Sequence, residues 1–257
     1  MRAVFISDVH LIRATDERYK KLMCFFDALE AGDIQTLVHG GARAVEKIFV
    51  DHLYIVGDLF DFWFCEADDI YPDFQPIIAK LVALKKAGVA IHLGEGNHDF
   101  FLAEYFRDRL GMDVFEERAS LELDDTKVFV AHGDKADATN LSYLLLRKFL
   151  RSRFFYQAQR RIPASWRWAV AGWSSTASKK MMGENGEALA EKMLPFAVEK
   201  FHEGYDAVIL GHSHVPQEKT LTINQKQKRL ITLGDWITHC SFLYYESNAF
   251  FLKRYRD

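Results

Sequence analysis

Residues 89–99 read VAIHLGEGNHD, in which a mostly apolar run passes through a glycine-containing turn to Asn97, His98 and Asp99. A short apolar run of this kind is typical of a β-strand that is covered on both faces by other layers of a fold. Gly94 and Gly96 favour a tight exit from the strand. The stretch therefore raises the question of whether polar side chains also follow the other strands of the chain.

Four other apolar runs are also followed by motifs that contain Asp or His. The runs and the motifs that follow them are residues 4–6 with DVH at 8–10, residues 52–56 with GDLFD at 57–61, residues 127–131 with HGD at 132–134, and residues 207–210 with GHSH at 211–214. Helix-period stretches lie between several of the runs, at residues 16–30, 74–87, 103–110 and 187–202. Strands alternating with helices predict a layered α/β fold. Because ligands bind at the carboxyl ends of strands in such sheets, we expect the five motifs to converge.

The chain is expected to form one main domain over residues 1–257, with a helical insertion at 138–200. It contains no internal repeat and no linker rich in Gly, Ser or Pro. Gly88 and Gly111 follow predicted helices at positions where a left-handed cap is favoured. Further strands and hairpins are predicted towards the end of the chain, at residues 217–223, 229–233, 241–245 and 249–255. Residues 33–51 are expected to form a loop and a short helix.

The composition is that of a globular protein with a sizeable core, since 49% of the 257 residues are hydrophobic. The three cysteines are widely separated and lack CxxC spacing, which argues against a disulfide framework or a structural zinc site. We expect Cys24, Cys65 and Cys240 to be buried thiols. No targeting or membrane-spanning segment is recognised, so the expected compartment is the cytoplasm.

The charge is unevenly distributed, although the net charge is only −3. Residues 138–183 contain nine Lys or Arg residues, eight Phe, Tyr or Trp residues, and no Asp or Glu. A basic, aromatic segment on an acidic body suggests an anionic partner with apolar parts, such as a phospholipid surface or an acylated phosphate. The alternative interpretation is a helical subdomain whose aromatic side chains form a core and whose basic side chains form a solvated face.

The five motifs supply side chains that suit divalent metal ions. In DVH and in GHSH, the two candidate ligands are two residues apart, so that they can share one face of an extended segment. Mixed carboxylate, imidazole and amide ligands suit Mn²⁺, Fe²⁺ or Zn²⁺ better than Ca²⁺. The candidate ligands are Asp8, His10, Asp58, Asn97, His132, His212 and His214. Such a set is too large for one tetrahedral ion and suits two ions that share a carboxylate and activate water against a phosphoryl group.

The ordered set of motifs carries a specific resemblance, although each motif taken singly also fits a turn or a helix cap. DxH, GDxxD, GNHD, His and GHxH, spanning residues 8–214, resemble the signature of the calcineurin-like metallophosphoesterase family. That resemblance implies a four-layer αββα sandwich, with two sheets between helices, here carrying a helical cap insertion. It also implies one metal held by Asp8, His10, Asp58 and His214, and another held by Asp58, Asn97, His132 and His212, with Asp58 bridging.

The same resemblance implies catalytic roles for His98 and Asp61. In the wider family, the His of GNHD acts on the leaving oxygen or on the transferring phosphoryl group. The second Asp of GDxxD orients that His. Asp61 is therefore expected to fix the tautomer of the His98 imidazole.

Within the family, the chain is most similar to the UDP-2,3-diacylglucosamine hydrolases of lipid A biosynthesis. The resembling segments are GDLF at 57–60, HGD at 132–134, an insertion ending near residue 178, GHSHVP at 211–216 and LGDW at 233–236. This resemblance implies hydrolysis of an acylated UDP-sugar to UMP and an acylated sugar 1-phosphate, usually with Mn²⁺. It also suggests peripheral contact with the cytoplasmic face of the inner membrane.

Four residues near the insertion are candidates for the substrate pocket. Asn140 and Tyr143 follow His132 closely, and Ser178 and Lys179 lie at the far end of the insertion. The alternative is that Asn140 caps the next helix and that Tyr143 packs against the core.

Two other functions stay open on the residues alone. Many members of that hydrolase group carry Arg at the position of His98 and Glu at that of Asp61, whereas this chain has the residues of the wider family. Those residues favour a phosphodiesterase or phosphatase that acts on a small nucleotide or another phosphoester. A nucleic-acid-binding protein is the third hypothesis, because a basic aromatic segment can contact a backbone and stack on bases. The acidic body would repel a long polyanion, so that no nucleic-acid partner is expected.

Overall fold

The first strand, β1 (Arg2–Ile6), shows why the apolar runs of this chain are continuous. The computed structural model describes residues 1–37, 43–63, 69–138, 140–160 and 186–256. Val4 and Ile6 of β1 join a core cluster on one face, whereas Phe5 joins a second cluster on the other face. Both faces of the strand are therefore covered, and removal of apolar surface from water stabilises it on both sides.

The first sheet is mostly parallel. Its strands are β1, β4 (His52–Val56), β5 (Ala90–Gly94), β6 (Asp113–Phe115), β12 (Ser241–Glu246) and β13 (Ala249–Arg254). They lie in the order β13-β12-β1-β4-β5-β6. The strands from β1 to β6 are parallel, and β12 and β13 add an antiparallel hairpin at one edge.

The second sheet has a parallel centre with antiparallel edges. Its strands are β7 (Ala119–Leu123), β8 (Thr126–Ala131), β9 (Ala207–Leu210), β10 (Pro216–Ile223) and β11 (Lys226–Leu233). They lie in the order β10-β11-β9-β8-β7, with β8, β9 and β11 parallel to one another. Tyr54 of β4 and Ile209 of β9 belong to one buried cluster, which places this core between the two sheets.

Helices cover the outer faces of both sheets. Helices α1 (Glu17–Ala31), α2 (Gln75–Lys86) and α3 (Ala103–Phe106) contribute to the core cluster that contains Val4 and Ile6. On the other side, α6 (Gly186–His202) packs Met193 and Ala197 against Val208 of β9. The order helix, sheet, sheet, helix confirms the predicted four-layer α/β sandwich.

Two helices precede α6 in the predicted insertion. They are α4 (Leu141–Leu150) and α5 (Arg153–Arg160). Large apolar side chains are exposed along them, at Leu141, Leu145, Leu146, Phe149 and Phe154. Residues 161–185 lie outside the described ranges. The predicted insertion at 138–200 therefore includes two helices with an exposed apolar surface and, in α6, a helix that covers the second sheet.

Among the described residues, no helix is both long and apolar enough to cross a membrane.

The expectation for residues 33–51 is wrong. Instead of a loop and a short helix, β2 (Asp33–Leu37) and β3 (Arg43–Lys47) form an antiparallel hairpin. Thr36 pairs with Tyr255 beyond β13, and Glu46 forms an ion pair with Lys253 at 2.7 Å. These contacts join segments that are far apart in sequence, and such tertiary context overrides the local helix propensity of residues such as Ala, Glu and Lys.

Smaller differences concern the cysteines and α3. Cys24 is exposed on α1 and Cys240 is half-buried, so that the expectation of buried thiols is wrong for Cys24, while Cys65 lies outside the described residues. Helix α3 ends at Phe106, before the predicted end at residue 110. The left-handed caps are confirmed, since φ is 100° at Gly88 and 61° at Gly111.

Candidate metal centre

The loops that follow β1 and β4 are bonded to each other through their main chains. The amides of Val9 and His10 both donate to the Asp58 carbonyl, at 2.8 and 2.9 Å, and the Leu11 amide donates to the Leu59 carbonyl at 2.9 Å. These bonds continue the parallel register of β1 and β4 beyond the ends of the strands. The DVH and GDLFD motifs are thereby held side by side at one edge of the first sheet.

Five candidate ligands adopt a left-handed backbone conformation. The φ angles of Asp8, His10, Asp58, His212 and His214 lie between 52° and 64°. This region is unfavourable for residues with a Cβ atom and persists where the surrounding structure enforces it. The shared strain indicates that the strand exits are shaped to aim these side chains.

Two glycines allow the motif loops to approach each other. A Cβ atom at Gly96 would lie 2.0 Å from Asp58 Oδ1, and one at Gly211 would lie 2.0 Å from Ser7 Oγ and 2.7 Å from Asp8 Oδ2. Any side chain at these positions would displace the carboxylates. Gly96 and Gly211 are therefore required by close contact with Asp58 and Asp8.

The first predicted ligand set is brought together. Asp8 Oδ1 lies 3.4 Å from His214 Nε2 and 3.9 Å from His10 Nε2, and His10 Nε2 lies 3.7 Å from Asp58 Oδ2. The His10 and His214 rings are stacked, with their centroids 5.2 Å apart. Ligand atoms of Asp8, His10 and His214 lie within 4.8 Å of one another, so that a single cation could contact all three, with Asp58 next to His10.

The second predicted set shares Asp58 with the first. His132 Nε2 lies 3.4 Å from Asp58 Oδ2 and 3.0 Å from Asn97 Oδ1. The His212 ring packs edge-on against His132, with centroids 5.1 Å apart, and the His212 amide donates to Asp8 Oδ2 at 2.9 Å. Asp58 thus lies between the two groups of side chains, where a bridging ligand is expected.

Several inward-facing atoms have the character of ligand atoms. Within the described ranges, no hydrogen-bond partner is found for the buried atoms Asp8 Oδ1, His10 Nε2, Asp58 Oδ2, His212 Nδ1 and His214 Nε2. Burial of polar atoms without partners is costly, and native proteins rarely leave it uncompensated. Two divalent cations would satisfy these carboxylate and imidazole atoms, so that the residues present fit a dinuclear site.

The other ring nitrogen of three histidines is fixed from outside the centre. His132 Nδ1 donates to the Val56 carbonyl at 3.0 Å, because a carbonyl can only accept. His214 Nδ1 lies 3.3 Å from Asp235 Oδ2, and His10 Nδ1 lies 3.2 Å from Asp61 Oδ1. These contacts hold the Nδ1 side of each ring, so that Nε2 is turned towards the candidate metal centre.

Asp61 and His98 meet, but in a different way from the prediction. His98 Nδ1 donates to the main-chain carbonyl of Asp61 at 3.1 Å, so that the carbonyl fixes the tautomer of His98. The Asp61 carboxylate lies closer to His10, and one ligand atom each from His10, Asp61 and His98 falls within 4.8 Å of the others. His98 is half-buried, and its ring packs edge-on against that of His10 with the centroids 4.8 Å apart.

The carboxylates of the centre favour positive charge on the groups around Asp58. Burial opposes ionisation of Asp58, but His132, His98 and His10 together outweigh it and lower the pKa of Asp58 well below its usual value. Burial likewise opposes the charged form of His132, but Asp58 and Asp8 raise the pKa of His132 to about 10. Burial and the charge of His132 lower the pKa of His212 to about 4. The carboxylates therefore stabilise positive charge at the position where divalent cations would bind.

Asp99 joins two of the motif loops, a role that the motif analysis did not assign to it. Its buried carboxylate accepts from the amides of Asp58, Phe60 and Gly96, at 2.8, 3.0 and 3.0 Å. It therefore ties the GDLFD loop to the GNHD loop. Asp99 ends the GNHD motif in the sequence, but nothing in the motif indicates which amides it binds.

The candidate pocket residues divide into two groups. Asn140 caps α4, where its side chain accepts from the Tyr143 amide at 3.2 Å, as the alternative interpretation predicted. The Tyr143 hydroxyl donates to Asp134 Oδ2 at 3.0 Å, and its ring lies 6.4 Å from that of His212. Tyr143 thus borders the metal centre. Ser178 and Lys179 lie outside the described residues.

The comparisons with known proteins agree with this geometry. The model of the calcineurin-like phosphoesterase family matches residues 1–216. The UDP-2,3-diacylglucosamine hydrolase of Aeromonas salmonicida (strain A449) is 29% identical over 245 residues, covering 95% of this chain and 89% of that protein. The protein of the same name from Cellvibrio japonicus (strain Ueda107) is 30% identical over 237 residues, covering 92% and 91%. The chain therefore belongs to the calcineurin-like phosphoesterase family and is a metal-dependent phosphohydrolase.

Proposed function

We propose that the two groups of side chains hold two divalent ions, Mn²⁺ in the first place and Fe²⁺ or Zn²⁺ as alternatives. One ion would be held by Asp8, His10, Asp58 and His214, and the other by Asp58, Asn97, His132 and His212. The observation that carries this assignment is the set of buried, inward-facing ligand atoms that lack hydrogen-bond partners among the described residues. Ligands of mixed carboxylate, imidazole and amide type suit these metals.

The proposed reaction is hydrolysis of the pyrophosphate of UDP-2,3-diacylglucosamine to UMP and 2,3-diacylglucosamine 1-phosphate. Two curated relatives with that name align over most of the chain at 29% and 30% identity. The exposed apolar side chains on α4 and α5, such as Leu145 at 69% and Phe154 at 74%, offer surface for acyl chains. Lys148 and Arg153 on the same two helices offer positive charge for phosphates.

The residues of this chain would divide the chemistry between them. In the reaction, water adds to one phosphorus of the pyrophosphate and the bridging P–O bond breaks. When bound, divalent ions lower the pKa of water and withdraw charge from phosphoryl oxygens. His98 stabilises or protonates the departing oxygen through Nε2, while the Asp61 carbonyl holds Nδ1. The Asp61 carboxylate orients the ring of His10.

A phosphodiesterase or phosphatase acting on a small nucleotide or another phosphoester is the second candidate. The observation that favours it is His98, which completes the GNHD motif of the wider family and lies beside His10. An imidazole at this position fits general-acid chemistry on an ordinary phosphoester. The exposed apolar surface of α4 and α5 would then not bind the acyl chains of a substrate.

The two candidates are distinguished by incubating Mn²⁺-loaded protein with UDP-2,3-diacylglucosamine beside bis(p-nitrophenyl) phosphate. The proposal expects release of UMP with a kcat/KM well above that for the aryl diester. Cleavage of the aryl diester alone would contradict the acylated substrate and support the second candidate. UDP-glucosamine without acyl chains is the matched control, because it tests the contribution of the lipid part.

The same surface suggests peripheral contact of a cytoplasmic protein with the inner membrane. Apolar side chains beside basic ones bind anionic lipid interfaces. Cosedimentation with vesicles containing phosphatidylglycerol should exceed that with purely zwitterionic vesicles. Salt-sensitive binding to single-stranded DNA instead would support the nucleic-acid hypothesis.

A further inference from the structure

Helix α4 carries polar side chains on the face that points towards the metal centre. Tyr143, Arg147 and Arg151 recur at four-residue spacing, and each contacts a loop that follows a strand. Leu141, Leu145 and Phe149 recur at the same spacing and are exposed. The helix therefore turns its polar face inward and its apolar face outward, which is the reverse of an ordinary surface helix. This reversal indicates that the inward contacts have a role other than core formation.

Arg151, directly after α4, makes the most specific of these contacts. Its Nη2 donates to the Gly96 carbonyl at 2.6 Å, and its Nη1 donates to Glu95 Oε2 at 3.0 Å and to the Glu116 carbonyl at 3.1 Å. The guanidinium also lies 5.3 Å from the centre of the Phe100 ring. The side chains of Arg151 and Glu95 are only 12% and 4% exposed. A buried guanidinium with several fixed partners holds those partners rigidly.

The contacted carbonyl belongs to the peptide that enters Asn97. On the inner side, two hydrogen bonds hold the same loop. The Gly96 amide donates to Asp99 Oδ1 at 3.0 Å, and the His98 amide donates to Asp58 Oδ1 at 2.9 Å. On the outer side, Glu95 Oε1 accepts from the Leu102 amide at 2.9 Å and its other oxygen accepts from Arg151. The loop of residues 94–98 is thus clamped between Asp58 and Arg151.

We propose that Arg151 is a positioning residue that sets the orientation of Asn97 and thereby the affinity of the second metal set. The inference rests on the proposed ligand role of Asn97 and does not depend on the choice of substrate. It also links the insertion to the chemistry, because movement of α4 against the body would shift the Asn97 loop.

The test is calorimetric titration of metal-free, full-length protein with Mn²⁺. In Arg151→Ala, one of the two binding steps should weaken about tenfold or more, as happens when a partner that orients a metal ligand is removed. The other step, assigned to Asp8, His10, Asp58 and His214, should stay within about threefold. Arg151→Lys should recover part of the loss, since an ammonium can reach one carbonyl but cannot make the forked contact. Arg107→Ala, which removes an exposed Arg paired with Asp108 at 3.2 Å, is the matched control.

A second variant guards against misfolding. In Glu95→Gln/Arg151→Met, no unpaired charge is left buried, while the bond to the Gly96 carbonyl is still removed. The paramagnetic resonance spectrum of the Mn²⁺-loaded variants should show weakened coupling between the two ions. Unchanged binding of two ions in both variants would overturn this inference alone, and so would equal weakening of both steps. Binding of a single ion by the wild type would overturn the ligand sets and this inference together.

Discussion

Among single residues, Asp58 is the side chain that both proposed ligand sets share. Its Oδ2 faces His10 at 3.7 Å and His132 at 3.4 Å, while its Oδ1 accepts from the His98 amide at 2.9 Å. One carboxylate thus contacts both halves of the centre and the loop that carries His98. Because the Asp58 carboxylate makes all three contacts, replacement of Asp58 should affect more than one of the proposed ligands.

Replacement of Asp58 by Ala is expected to abolish metal-dependent turnover. The reason is the loss of the carboxylate shared by the two sets. Activity is measured with bis(p-nitrophenyl) phosphate and bound Mn²⁺ by elemental analysis, with circular dichroism to confirm the fold. Asp125→Ala, at an exposed turn, is the control. Substantial residual turnover with two bound ions would show that Asp58 is not the bridge.

Replacement of His98 by Ala should separate catalysis from metal binding. His98 lies at the edge of the centre and belongs to neither proposed ligand set, so turnover should fall about 10²–10⁴-fold with metal content retained. The kcat for a substrate with a poor leaving group should fall more than that for an activated aryl ester, because only the former needs a proton on the departing oxygen. Equal losses on both substrates would argue against a role as general acid.

Among the elements, strand β9 is anchored by a partly buried ion pair just before it begins. Lys228 Nζ donates to Asp206 Oδ1 at 2.7 Å and to the Tyr205 carbonyl at 2.8 Å, and Asp206 Oδ2 accepts from the Lys127 amide at 3.1 Å. Burial opposes ionisation of Asp206, but these donors lower its pKa below the usual value. The pair joins β8, β9 and β11 at the end opposite to the metal centre.

This anchor predicts a pH-dependent contribution to stability. Because the pKa of Asp206 is lower in the folded than in the unfolded state, its stabilisation is complete above the unfolded pKa of about 3.9 and is lost as the pH falls through the folded pKa. Asp206→Asn should therefore lower the free energy of unfolding at pH 6 by about 1 kcal/mol and have a smaller effect near pH 3. Urea denaturation at the two pH values measures the difference. An equal effect of the variant at both values would contradict the assignment, and Asp125→Asn is the exposed control.

At the scale of the whole molecule, the metal centre lies where both sheets end. Asp8, Asp58 and Asn97 follow strands of the first sheet, and His132 and His212 follow strands of the second. Ions bound there would join the two sheets across their shared edge. Metal binding should therefore stabilise the fold as a whole as well as the loops.

Removal of metal by EDTA is expected to lower the melting temperature. Ligands that bind only the folded state add about 2.7 kcal/mol at a concentration of 100 times Kd. For a domain of this size, each kcal/mol shifts Tm by about 2–4 °C. Differential scanning calorimetry with and without Mn²⁺ measures the shift, which should be restored by adding the metal back. The Asp58→Ala variant should show little shift, and an equal shift in that variant would indicate binding elsewhere.

Part of the site could be predicted from residue types and their order. Asp8, Asp58, Asn97, His132 and His212 each follow an apolar run, and parallel strands bring their carboxyl ends to one edge. The structure places all five together, as the motifs predicted. The hairpin at β2 and β3 could not be predicted, because its partners Tyr255 and Lys253 are more than 200 residues away in sequence.

The layered α/β fold and the candidate ligands could be predicted from the residues alone, because both depend on local periodicity and on which residues follow each strand. The folded arrangement was needed to see which atoms face inward, that the Asp61 carbonyl holds His98, and that Arg151 clamps the Asn97 loop. These contacts join segments 37 and 55 residues apart, and their geometry depends on loop packing that no local pattern encodes. The left-handed backbone at Asp8 and Asp58 has the same origin, since the packed loops enforce a conformation that these residues do not favour alone.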